Sequence, residues 1–199
     1  MEDFSLKMMQ RQTLPPEIRG GKKIAYILRT MVLFTMLAFV GAVASLNMVW
    51  VSLYEHTLFT SNTVSATGFD FIQHGMSILV FSVSGFSPLW LWTVLGTGLL
   101  GCITALFYWP PGAILRWKML RYAVLVPLIC GITGINACLQ ARQSINDFGT
   151  KELLFFTDVT MTAGPGLQVG LMAFVVATAV LAITVVFGEF FLYKLKRAA

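Results

Sequence analysis

The sequence predicts an all-α integral membrane protein with four transmembrane helices, arranged as two tandem helical hairpins with both termini cytoplasmic. Three observations predict it. Hydrophobic residues make up 57% of the 199 and charged residues only 12%, about half the ~25% that a solvated globular surface carries. Mean hydropathy is +0.77, and apolar runs long enough to cross ~30 Å of hydrocarbon recur along the chain. The net charge of +5 is also unevenly placed. Lys7, Arg11, Arg19, Lys22, Lys23 and Arg29 precede or open the first run, Arg116, Lys118 and Arg121 lie between the second and third, and Lys194, Lys196 and Arg197 follow the last. Only Arg142 and Lys151 stand elsewhere. Basic clusters alternating with apolar spans are the positive-inside pattern. They suit anionic lipid headgroups and argue against nucleic acid.

Residues 1–23 read as a cytoplasmic arm, with Pro15–Pro16 and Gly20–Gly21 as breakers. The first membrane hairpin occupies 24–109. Its opening span, Ile24 to Leu53, is too long for a signal-peptide core. An outer segment covers 54–87. Within it, 69–86 is apolar enough to lie along the membrane surface or pack on protein. The second span then runs from Pro88 to Trp109, with Ser87 as its cap and Pro88 in its first turn. A competing reading is one helix from Gly75, kinked at Pro88. Trp90 and Trp92 mark one membrane interface, and Trp109 and Trp117 the other. Residues 110–119 form a cytoplasmic turn around Pro110–Pro111–Gly112. The second hairpin, 120–193, holds a span from Leu120 to Leu139, an outer loop over 140–166 halted by Gly164–Pro165–Gly166, and a span from Leu167 to Tyr193. Residues 194–199 are a basic tail.

The halves share three short matches in the same order. Leu28–Arg29 with Val32–Leu33 matches Leu120–Arg121 with Val124–Leu125. Phe59–Thr60, Thr63 and Ser65–Ala66 match Phe156–Thr157, Thr160 and Thr162–Ala163. Gln73 with Gly75 matches Gln168 with Gly170. Together they suggest a duplicated hairpin, a parallel repeat related by an axis along the membrane normal.

Chemistry-bearing residues are few. The weak metal candidates are His56, His74, Glu55 and Asp70 in the first outer segment, since imidazole with carboxylate suits zinc or copper. Their spacing matches no metal signature, so a solvated role is expected, with no metal centre and no catalytic set. Haem needs histidines inside spans, and a nucleophilic serine or threonine needs a histidine base. Cys102, Cys130 and Cys138 fall in apolar runs with no CxxC spacing, which points to neither a disulfide framework nor zinc. Glu189 is the one acidic residue inside a span. It stands about a turn from Lys194, where side chains reach the interface. Asn47 and Asn136 read as helix-bridging polar groups. Gly41, Ala44, Gly96, Gly98, Gly101, Gly131 and Gly134 are small-residue positions that let helix backbones approach. The four-span plan with short tails resembles claudin-like tetraspan proteins in topology alone, because the tryptophan and cysteine loop signature of that family is absent.

These residues suggest a non-catalytic accessory or scaffolding subunit of a larger membrane complex. It would act through helix–helix and lipid contacts, with other membrane subunits and bound lipids as partners and no cofactor. The expected location is the cell's inner membrane. A small transporter, channel or lipid-handling protein is the alternative, and a metal-dependent site at the outer face a third.

Overall fold

A proline at the first helical position loses nothing, because that N–H has no partner in a helix. Pro16 opens the first helix of the computed structural model in this way, and Pro165 the last. The structure describes residues 16–57, 60–74, 89–107, 124–148, 150–154 and 157–198. Helix α1 (Pro16–Ala44) ends in a 3-10 turn at Ser45–Asn47 and gives way to strands β1 (Val49–Thr57) and β2 (Ser61–Thr67). A short helix α2 (Gly68–His74) follows, then α3 (Leu89–Phe107) and α4 (Leu125–Phe148). Strands β3 (Thr150–Leu154) and β4 (Thr157–Ala163) lead into α5 (Pro165–Ala198).

The long helices form a ring. Helix α1 packs on α3 and α5, and α4 packs on the same two. Among the described residues three helical segments, Arg29–Asn47, Leu125–Phe148 and Pro165–Phe187, are long and apolar enough to cross a membrane, and Leu89–Ala105 is a shorter apolar helix. At 1.5 Å per residue, the 19 residues of α3 extend about 28 Å. In the middle of the ring Phe39 of α1 meets Phe174 of α5 edge to face, centroids 6.1 Å apart. Buried hydroxyls are satisfied within their own helices. Thr35 donates to the Met31 carbonyl at 3.0 Å and Thr184 to that of Val180 at 2.7 Å.

The expectation of an all-α fold is corrected by a four-stranded antiparallel sheet, ordered β2–β1–β4–β3. Val49 to Leu53, read as the end of the first span, is strand. After the turn at Ser45–Asn47, Val51 and Leu53 are buried while Ser52 is half-buried and Tyr54 exposed. Side chains alternating across a sheet repeat every two residues, a period no helix satisfies. The segment read as the outer loop 140–166 is likewise structured, because α4 runs on to Phe148 and a β-hairpin fills most of the rest. At the other end of the chain, Gly20–Gly21 do not break α1. Glycine keeps its N–H and so continues the ladder, at a cost of about 1 kcal/mol each. Pro127 stands in the first turn of α4, where it removes no hydrogen bond.

Among the described residues the order helix, β-hairpin, helix occurs twice, with α2 added in the first half. Thr60 immediately precedes β2, and Thr157 begins β4. Residues 75–88 and 108–123, which carry the two readings of the second span's start and the cytoplasmic turn, lie outside the described residues. So does the N-terminal arm up to residue 15.

Candidate functional site

The sheet stands over the end of the bundle where α1 and α4 finish and α5 begins. Its inner side is apolar: Val51, Leu53, Ala66, Val159 and Met161 are all buried in the main core. One indole fixes the attachment. Trp50 is fully buried, and its Nε1–H donates 2.8 Å to the Ser45 carbonyl, tying β1 back to the end of α1. Ser45 in turn donates to the Ala42 carbonyl at 2.7 Å. The start of α5 lies flat against this ring. A Cβ at Gly166 would stand 2.6 Å from Trp50 Cδ1, and one at Gly170 would stand 3.3 Å from its Cζ2. The Gly164 N–H donates 2.8 Å to the Trp50 carbonyl. The interval Gly164–Pro165–Gly166 is therefore a seat for Trp50 as well as the start of α5.

The outward side of the sheet is a polar grid, because residues paired across strands share a face. Ser65, Ser52 and Thr162 form one row, and Thr63, Tyr54 and Thr160 the next. Ser61, His56 and Asp158 form the third. Seven of these nine residues bear hydroxyls, and Tyr54 at their centre is 48% exposed. Ser52 and Ser65 share a hydrogen bond of 3.0 Å, and Thr162 donates 3.3 Å to the Ser52 carbonyl.

The three weak metal candidates with described side chains, Glu55, His56 and Asp70, do not converge. Glu55 and His56 are neighbours on β1, so they point to opposite faces. Asp70 caps α2: its carboxylate accepts from the N–H and hydroxyl of Thr67, each at 2.8 Å, while the Asp70 N–H donates 3.2 Å to the Thr67 hydroxyl. This reciprocal capping box satisfies donors that the helix start would leave open. His74 ends α2, and its side chain lies outside the described set. Among the described residues no three histidine, cysteine, aspartate or glutamate side chains gather as a metal-binding group. The sheet does bring the two outer segments together, setting His56 opposite Asp158.

The small residues divide. Gly98 lies against Val43, with a Cβ there 2.7 Å from its Cγ2, and Gly101 lies under the Phe39 ring. Gly131 meets Thr178, Gly134 lies under the Phe174 ring, and Gly41 makes ordinary contact with Ala173. Ala44 and Gly96 are exposed instead, and among the described residues nothing lies within 4 Å of a Cβ at Gly96. Gly96 precedes Gly98 by two residues, a turn of about 200° that sends it to the far side of α3. Of the tryptophans, Trp90 packs partly on the core and Trp92 is 53% exposed. Trp109 and Trp117 lie outside the described residues, as do the side chains of Glu189 and Lys194, whose backbone belongs to α5. Sequence reasoning missed Trp50 and the whole polar grid. The alternation of Val51, Ser52, Leu53 and Tyr54 was the available signal. The chain matches no known protein-family model and no curated protein sequence.

Proposed function

We propose that the chain is a non-catalytic accessory or scaffolding subunit of a larger membrane assembly, with four spans, both termini cytoplasmic and the sheet on the outer side. The supporting observation is the outward grid centred on Tyr54, a polar face whose residues are exposed or half-buried and held at fixed register over an apolar bundle. A surface of that kind presents hydrogen-bonding groups to another protein while the helices sit in lipid. The order helix, β-hairpin, helix in both halves supports a duplicated hairpin, while β2 at an edge of the sheet and β4 inside it set the matched segments in different places. Transport is the weaker reading, since Phe39 and Phe174 fill the middle of the ring.

Two measurements test this. In intact cells, Asn62→Cys and Thr150→Cys are expected to react with a membrane-impermeant thiol reagent. Gln10→Cys, Ala113→Cys and Ala198→Cys should be protected, and the reverse pattern would overturn the orientation. Purified in mild detergent, the tagged chain is expected to retain a second membrane protein in fixed stoichiometry. Thr63→Lys/Ser65→Lys, which places two charges on the grid, should release it without unfolding the bundle. A chain that retains only lipid, before and after that change, would sink the scaffold reading.

A further inference from the structure

Lipid-facing helix surfaces are apolar because hydrocarbon offers polar groups no partner. The outward face of α1, with Leu33, Phe34, Leu37 and Val40, follows that rule, and so does that of α5, with Met172, Val176, Ile183 and Val186. Helix α4 does not. Its exposed positions include Ile129, Ile132, Asn136, Leu139, Gln143 and Asn146. They alternate by three and four residues, the spacing of the a and d positions of a coiled-coil heptad. The opposite side of α4 carries Gly134, Ala141 and Phe148, all buried in the bundle. The six-residue seam therefore faces directly away from the other described elements.

Asn136 is the anomaly within that seam. Gly134 lies against Phe174, nine residues into α5, so Asn136 stands about 10 Å below the outer end of that helix at 1.5 Å per residue. At that depth an exposed amide faces hydrocarbon unless another helix meets it, and asparagine in spans characteristically bonds between helices.

We propose that α4 is a self-association helix, pairing in parallel with α4 of a second copy of this chain across the seam from Ile129 to Asn146. The chemistry favours a second copy over a foreign helix on two grounds. All copies enter the membrane in one orientation, so a two-fold axis along the bilayer normal sets Asn136 opposite its own counterpart. A primary amide both donates and accepts, and is thus complementary to itself. Charge agrees independently. Arg142 and Asp147, both exposed, flank the seam at the g position and at the e position of the following heptad. In a parallel pair these two positions, five residues apart, face each other across the interface. Each dimer would thus gain two such pairs near its outer end. Spacing of this kind gives a left-handed crossing of about 20°.

The inference rests on the membrane reading above but needs no foreign partner. In native membranes, Ile132→Cys and Leu139→Cys are expected to give disulfide-linked dimers on mild oxidation, whereas Val176→Cys on the outward face of α5 and the parent chain should not. Asn136→Leu should lower the Leu139→Cys dimer yield by about 3- to 30-fold, the range for one interhelical polar contact. Arg142→Asp should lower it as well, and Arg142→Asp/Asp147→Arg should restore it. Four outcomes would overturn the proposal: no dimer at either seam cysteine in folded protein, equal yields at Leu139→Cys and Val176→Cys, no restoration by the charge exchange, or cross-links at the seam only to a different protein. Retention of a foreign subunit is scored separately, so failure of the scaffold reading leaves this result intact, and the converse holds.

Discussion

Trp50→Ala is expected to detach the sheet from the bundle and to cost about 3–5 kcal/mol of stability, the range for truncating a buried tryptophan. The indole touches the ends of two helices at once, so its loss opens a cavity between Ser45, Gly166 and Gly170. It also takes from the Ser45 carbonyl one of its two N–H donors, leaving that of Met48 at 3.0 Å. Trp50→Phe separates the two effects, because it keeps most of the ring volume and removes the donor. That variant should lose about 0.5–1.5 kcal/mol, the net worth of one hydrogen bond, because the Ser45 carbonyl still accepts from the Met48 N–H. Denaturant unfolding in detergent measures both, and limited proteolysis within Val49–Thr67 reports whether the sheet has come free. Equal stability of Trp50→Ala and the parent chain would show that the strands are held by their own pairing alone.

The second large effect lies deeper in the bundle. A Cβ added at Gly134 would stand 2.5 Å from Phe174 Cδ1 and Cζ, and that ring is backed by Phe39. Phe174 therefore has little room to retreat. Gly134→Ala is expected to destabilise by about 1–3 kcal/mol and Gly134→Leu by at least as much, as overpacked cores do. Phe174→Ala alone should cost about 3–5 kcal/mol through the cavity it leaves. In Gly134→Leu/Phe174→Ala the new side chain occupies that cavity. The double variant should be more stable than the sum of the single losses by at least ~1 kcal/mol. Simple additivity would mean that α4 shifts away from α5 and does not clash with it.

Helices were legible where a local rule governs them. Hydropathy marked the cores of α1, α4 and α5, and glycine spacing marked Gly98, Gly101, Gly131 and Gly134 as places of close approach. What it did not supply was the other side of each contact, since Phe39 and Phe174 look like any lipid-facing phenylalanine. The sheet was hidden for two reasons. β1 continues an apolar run, so a hydropathy window merges it with the preceding helix. β2 and β4 are rich in serine and threonine, which read as loop until their partners are known. Those partners are distant: Ser52 and Thr162 bond across 110 positions of sequence. Among the weak metal candidates, the chain positions of Glu55 and His56 already send them to opposite faces once the segment is a strand, and the role of Asp70 as a cap needed the start of α2 to be known.

The position of β1 in the sheet has a consequence for biosynthesis. It pairs with β2 on one edge and β4 on the other, yet β4 is made about a hundred residues later. At ~5–20 residues per second, a growing chain holds one edge of Val49–Thr57 bare for several seconds. Closing that edge requires α3 and α4, which lie between the two strands in the chain, to be made and placed first. The β1–β4 ladder is thus a late, non-local step of the kind that slows folding, and a chain stalled before it would present an open strand edge to chaperones or to other nascent chains.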